Sequence, residues 1–182
     1  MPITAREISA GTVVFRRTSE GPKFLILYHG GDYWNFAKGH IEKEEKSLEA
    51  AIRETKEETG LGAKELRLIP QFRAHERFAF RRGSQHIFKI VIFYLAETRT
   101  KDIKISDEHH GYGWFTFRDA KKILGKYRDS QKVLVQAYNF LQGVRPPQAQ
   151  REGHVPPPQP HQPHPPHQPR REHPQRPATR RP

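Results

Sequence analysis

Apolar and polar positions follow two rhythms along the chain. Residues 9–16 (Ser-Ala-Gly-Thr-Val-Val-Phe-Arg) and 23–28 (Lys-Phe-Leu-Ile-Leu-Tyr) are short β-branched and aromatic runs. The turn signal Ser-Glu-Gly-Pro separates them, which predicts a hairpin. A glycine-rich loop is predicted from Gly30 to Gly39. Over 47–59 the rhythm lengthens: Leu48, Ala51, Ile52 and Thr55 recur at helical spacing, as expected for the face packed on a sheet. Gly60 stands where a left-handed C-cap belongs. Strand-like runs return at 66–80 and 87–96, joined by Arg-Arg-Gly-Ser, with a short one over Tyr112–Phe117. Helices are predicted at 118–124 and 130–142. Strands interleaved with helices, without internal repeats, predict an α/β sandwich around a mixed β-sheet.

Composition changes the picture at one end. From Arg145 onward the chain is Pro, Gln, His and Arg, with a single Val and thirteen of the sixteen prolines. So little apolar surface cannot offset the entropy of ordering the backbone, so residues 144–182 are expected to be disordered or transiently polyproline-like. The folding unit is then 3–143, enough for one ordinary core. The formal charge is +12, of which the tail carries seven Arg against two Glu. The excess on the folded part attracts anions: nucleic acid, acidic lipid or small polyphosphates. With no cysteine, disulfides and a cysteine nucleophile are excluded. Neither a signal peptide nor an apolar run of membrane-spanning length is visible, so a cytoplasmic protein without membrane contact is expected.

The candidate chemistry lies between Gly39 and Leu61. Glu54, Glu57 and Glu58 stand at i, i+3 and i+4 and project from one helix face. Such carboxylates repel one another unless neutralised, and hard oxygen donors suit Mg²⁺, or Mn²⁺ in its place. A solvated acidic face has the same pattern, so these three residues alone do not decide. The whole segment, however, resembles the Nudix box, G-x5-E-x7-R-E-U-x-E-E-x-G-U with U apolar. Gly39, Glu45, Arg53, Glu54, Glu57, Glu58, Gly60 and Leu61 fill its fixed positions, and Thr55 takes one apolar position. The resemblance implies a Nudix hydrolase in which Glu54, Glu57, Glu58 and the Gly39 carbonyl hold divalent metal. Arg53 and Glu45 would pair to brace the loop on the helix. Glu57 or Glu58 would deprotonate the water that attacks phosphorus.

Three further patches are similar to the asymmetrical diadenosine tetraphosphate hydrolases. Trp34-Asn35-Phe36-Ala37-Lys38-Gly39-His40-Ile41-Glu42 resembles their W-x-x-P-K-G-H-x-E segment, with Ala37 in place of Pro, which implies substrate contacts from Lys38 and His40. Glu108-His109-His110-Gly111-Tyr112-Gly113-Trp114 resembles E-H-x-x-Y-x-W. It implies an auxiliary metal-side role for Glu108 and leaves Tyr112 between strand packing and the substrate site; Trp114 is assigned to the core. Phe78 or Phe80, with Phe140, falls where that group stacks adenine. Arg73, Arg77, Arg81, Arg82 and Lys89 crowd the same hairpin and would meet a polyphosphate. The implied reaction is Ap4A and water to ATP and AMP. Diphosphoinositol polyphosphates, RNA 5′ ends and nucleoside triphosphates are the competing substrates, and a non-catalytic nucleotide-sensing or RNA-binding module is the competing class. The basic tail is a candidate RNA-contacting or partner-docking arm, or a solubilising extension.

Overall fold

The computed structural model describes residues 5–144. The expected disorder of the tail, and the RNA contact assigned to it, lie outside the described residues. In chain order the elements are β1 (Ala5–Thr18), β2 (Gly21–Tyr28), β3 (Trp34–Asn35), β4 (Ala37–His40), α1 (Ser47–Thr59), β5 (Arg67–Leu68), β6 (Ala74–Arg82), β7 (Gln85–Glu97), β8 (Gly111–Thr116), α2 (Phe117–Ile123) and α3 (Arg128–Leu141). The strands form one sheet with β3-β2-β1-β7-β5 as its spine, while β4 pairs with β1, β6 with β7 and β8 with β2. Only β1 and β7 run parallel, from Ala5 opposite Ile87 to Phe15 opposite Glu97. The sheet is therefore mixed, as predicted.

The period of two along a strand puts a helix layer on each face. On the central strands Val13 and Phe15, with Val91, Phe93 and Leu95, pack against α2 and α3 through Ala120, Leu124, Val133, Leu134 and Ala137. Ala10 and Tyr94, of the opposite parity, pack against Ala50 and Ala51 of α1. Val14 and Ala96 share that face with Leu61. The result is the α/β/α sandwich. Fully burying side chains such as Phe15, Phe24 and Phe93 contributes roughly 1.5–3 kcal/mol each.

Three segments differ from the sequence expectation. The run 66–80 breaks into β5 and β6 because Pro70 has no N–H for the ladder; there the chain turns, and the Phe72 N–H donates to the Ile69 carbonyl at 3.2 Å. The loop from Gly30 to Gly39 contains β3 and β4, and β4 lies on β1 with Gly39 opposite Ala10. On α1 the buried residues are Ala50, Ala51, Thr55, Glu58 and Thr59, whereas Leu48 and Ile52 are half-buried. The helix sits too close to the sheet for long side chains beneath it, and the Thr12 hydroxyl donates to the Ala51 carbonyl at 3.3 Å. Thr55 fills its apolar slot by donating its own hydroxyl to the same carbonyl at 2.6 Å.

Candidate active site

Helix α1 starts where Glu49 accepts a hydrogen bond from the Lys46 N–H and ends on Gly60, whose φ of 75° is open to glycine at little cost. Between these caps the helix sets four charged side chains, Arg53, Glu54, Glu57 and Glu58, at the same cavity. Arg53 is the hub. Its Nε and Nη2 form a two-pronged pair with the Glu45 carboxylate, each prong 2.9 Å. Nη1 donates to Glu54 at 2.9 Å and to Glu57 at 3.3 Å, and Nη2 also reaches the His40 carbonyl at 2.9 Å. The expected brace between loop and helix is thus a fork geometry that only guanidinium can make. It drives the Glu45 pKa down to about 2, chiefly through the Arg53 hydrogen bonds.

Glu58 turns inward and is 8% exposed. One carboxylate oxygen accepts the Lys38 backbone N–H at 3.0 Å, and the other is 3.7 Å from His109 Nε2. Burial lifts its pKa to about 7, opposed by Lys38 and reinforced by Glu54 and Glu108. Glu57 points outward, with 57% of its side chain exposed. Gly39 packs so tightly on the Glu54 carboxylate that a Cβ added there would fall on it.

These groups line one cavity of about 630 Å³, which brings together Lys38, Gly39, His40, Arg53, Glu54, Glu57, Glu58, Lys89 and Glu108 of the residues expected from sequence. Glu7, which sequence reasoning missed, gathers partners at its edge: its carboxylate is 3.3 Å from the His40 ring, 2.8 Å from Arg82 and 3.8 Å from Lys89. The loop bearing Glu108 is tied to α1 by the Ser106 N–H donating to the Glu58 carbonyl.

A second cavity, about 580 Å³, is lined by Phe78, Tyr33, Tyr127, Asn35, Glu76 and Ser130 among others. Lys38 links the two, since its ammonium is 5.6 Å from the Tyr33 ring and its charge acts on both Glu58 and Glu76. Tyr127, 4.9 Å from Tyr33, was missed. The available signal was an aromatic residue in the Gly-Lys-Tyr-Arg linker between two helices, with no strand or helix stripe to belong to.

The structure does not bring the remaining expected residues to either cavity. Phe140 continues the buried Val133, Ala137 stripe of α3, packs edge-on against Phe72 at 5.6 Å and lines a third, smaller cavity with Asn139. The adenine stack expected of Phe140 is therefore not formed with Phe78 in the aromatic cavity. Phe80 lies 6.0 Å from Phe78 and beneath the Arg82 guanidinium, and Arg82 is engaged by Glu7. Tyr112 is a strand residue whose hydroxyl accepts the Ile103 N–H at 3.2 Å. Trp114 packs with the core, as expected, and donates to the Lys101 carbonyl. Arg77 and Arg81 are exposed and line neither cavity.

Hard oxygen donors facing one cavity, with a glycine seated against one of them, suit a divalent cation. Among the described residues no three such side chains already converge on one point, because Arg53 itself lies between Glu54 and Glu57. Among the described residues no helix is long and apolar enough to cross a membrane.

Comparison with known proteins adds the following. A family model described as the NUDIX domain matches residues 5–137. The chain is 32% identical over 143 residues to the mouse bis(5′-nucleosyl)-tetraphosphatase [asymmetrical], covering 73% of this chain and 94% of that protein. The crystal structure of a Caenorhabditis elegans Ap4A hydrolase binary complex superposes with a TM-score of 0.65 at 30% identity, covering 75% of this chain and 98% of that one. The Escherichia coli dihydroneopterin triphosphate pyrophosphohydrolase shares the fold, with a TM-score of 0.56 at 21% identity over 76% of this chain and 99% of that one.

Proposed function

Because the chain belongs to the Nudix family and is a hydrolase acting on pyrophosphate bonds, we propose that its substrate is a dinucleoside tetraphosphate, cleaved asymmetrically, with Ap4A as the leading candidate. One observation carries this reading: the acidic cavity and the aromatic cavity adjoin Lys38, so a base and a phosphate chain on the same molecule have neighbouring seats. A base stacked on Phe78 or Tyr127 gains roughly 1–3 kcal/mol. The relatives named for Ap4A hydrolysis support the same choice.

Glu54, Glu57, Glu58 and the Gly39 carbonyl are the groups that would hold Mg²⁺ or Mn²⁺. When bound, such an ion supplies charge neutralisation for the phosphate oxygens and acidifies water. The chain's own residues do the rest. Lys38, Lys89 and His40 present their polar ends to the phosphate chain, and Lys38 does so as a compact point charge. Arg53 holds Glu45, Glu54 and the β4 carbonyl in one frame. Glu108, on the loop over the cavity, fits an accessory ligand or water-orienting role. Of the two candidate bases Glu57 is the freer, because Glu58 is committed to the Lys38 N–H. Water attacks phosphorus, its proton passes to the Glu57 carboxylate, and the phosphoanhydride P–O bond breaks to release a phosphate oxyanion.

The test is a panel of Ap4A, Ap3A, dATP, ADP-ribose, diphosphoinositol polyphosphate and 5′-triphosphorylated RNA with Mg²⁺, run beside Glu57→Gln. ATP plus AMP from Ap4A, lost in the variant, is the expected result. Preferred turnover of diphosphoinositol polyphosphate, which has no base, would overturn the dinucleotide reading. Silence across the panel with retained nucleotide binding would replace it by a sensing role.

A further inference from the structure

Strand pairing sets one row of side chains across the sheet. Glu7 on β1 is opposite Lys89 on β7, and Lys89 is opposite Phe78 on β6, so the three share a face. Lys89 lines the acidic cavity and Phe78 the aromatic one, whereas Glu7 lines neither. Its carboxylate is 16% exposed and lies 3.8 Å from the Lys89 ammonium. The same carboxylate accepts from Arg82 and meets the His40 ring.

Lys89 sits where an ammonium needs such a neighbour. It is 18% exposed and shares the cavity lining with Lys38. Burial is the largest influence on its pKa and lowers it; Lys38 and Arg82 repel its charge and add to that, while Glu7 acts the other way. Burial raises the Glu7 carboxyl in turn, but His40, Arg82 and Lys89 together hold it below the ordinary carboxylate range. The row therefore carries an anion whose partner is a lysine crowded by other cations.

We propose that Glu7 is a positioning residue: it holds the Lys89 ammonium, against repulsion from Lys38, where a phosphate chain meets it. The proposal rests on the reading of the acidic cavity as a polyphosphate site and deepens it. An anion here could instead compete with phosphate for the same cations, and two observations oppose that role. Glu7 is not part of the cavity lining, so a phosphate seated there meets Lys89 rather than Glu7. At 3.8 Å the pair is held by charge and not by a hydrogen bond, so the contact leaves the ammonium donors to a ligand.

The experiment is a double-mutant cycle of wild type, Glu7→Gln, Lys89→Met and the double variant, with thermal melts to verify folding. Glutamine keeps an acceptor for Arg82 and removes only the charge facing Lys89. KM and kcat for Ap4A are measured with Mg²⁺, and the Kd of inorganic tripolyphosphate is measured beside them by calorimetry. Glu7→Gln should raise both KM and Kd by roughly threefold to tenfold, with kcat within about twofold of wild type. In the Lys89→Met background it should cost nothing further, because Glu7 acts through Lys89. The same loss in both backgrounds would overturn the proposal and assign the effect to Arg82 or His40. Tighter tripolyphosphate binding in Glu7→Gln would make Glu7 a competing anion, and unchanged constants would leave it without a role at the site. No tripolyphosphate binding by wild type would sink the proposal together with the polyphosphate reading. The expected cycle in tripolyphosphate binding without Ap4A cleavage would uphold Glu7 and sink the dinucleotide substrate alone.

Discussion

A methyl group at Gly39 is the smallest change that should disable the site. The backbone there is ordinary, so alanine adds no conformational strain. The added Cβ would coincide with the Glu54 carboxylate, and one of two things must yield. Moving β4 would break its pairing with β1 around Ala10. Swinging Glu54 away costs only its hydrogen bond to Arg53, and because the obstacle is the end of a flexible side chain, this route wins. A charge-assisted bond at a part-exposed position contributes about 1–2 kcal/mol, and a domain of this size should then melt lower by roughly 3–8 °C. The effect on catalysis is larger, because Glu54 leaves the cavity where a cation would be held. Loss of an orienting contact at a metal site typically lowers affinity or activity by about 10–100-fold, and displacing a ligand should reach at least the upper end. Melting and Mg²⁺-titrated hydrolysis of Gly39→Ala would be compared with Gly111→Ala, whose Cβ meets only Tyr28 at ordinary contact distance. Gly39→Ala retaining turnover within about threefold and an unchanged Mg²⁺ dependence would refute the argument that Gly39 exists to seat Glu54.

The Arg53 pair predicts an acid limb. Glu45 ionises near 2 when folded against an ordinary 4.5, so it stabilises the protein above pH 4.5 and that contribution disappears as pH falls towards 2. Urea melts of Glu45→Gln should be less stable than wild type at neutral pH and converge with it in acid; parallel curves would contradict this. Phe140→Ala should lower stability by about 2–3 kcal/mol, since a half-buried ring packed on Phe72 is lost, with KM unchanged; a raised KM and an unshifted melt would restore Phe140 to the substrate site. Tyr127→Ala should do the opposite, raising KM by about fivefold or more with little change in the melt.

The acidic helix was legible in sequence because its chemistry and its structure share one period. The carboxylates at i, i+3 and i+4, Thr55 facing inward and Gly60 as cap all follow from 3.6 residues per turn, whereas the burial of Glu58 beside an exposed Glu57 does not. The strands were legible in position but not in extent. The run ending at Phe80 reads as continuous until Pro70 is counted, and β3 and β4 are too short to show alternation amid the glycines of their loop. Long-range neighbours were invisible. Nothing local distinguishes Glu7 from a surface glutamate, and only the parallel pairing of β1 with β7 sets it beside Lys89. For Phe140 the helix stripe was not extended far enough: the spacing from Val133 and Ala137 already puts it beside the packed side of α3. Glu76 reads as one charge in a basic hairpin, and only alternation with Ala74 and Phe78 turns it inward.

That same pairing of β1 with β7 has a kinetic side. Strand β1 is synthesised first, yet its longest partner is complete only after Glu97. At ~5–20 residues per second the interval is roughly 4–16 s, during which β1 can pair with β2 and β4 but keeps one edge open. Closing so long a loop is entropically slow, and non-local parallel pairing delays folding further. The Ser9 to Phe15 stretch, buried throughout in the finished sheet, is then an apolar strand awaiting a partner. A nascent chain stalled before β7 should be the most aggregation-prone form of this protein, and Lys89 arrives at the site with the strand that ends the exposure.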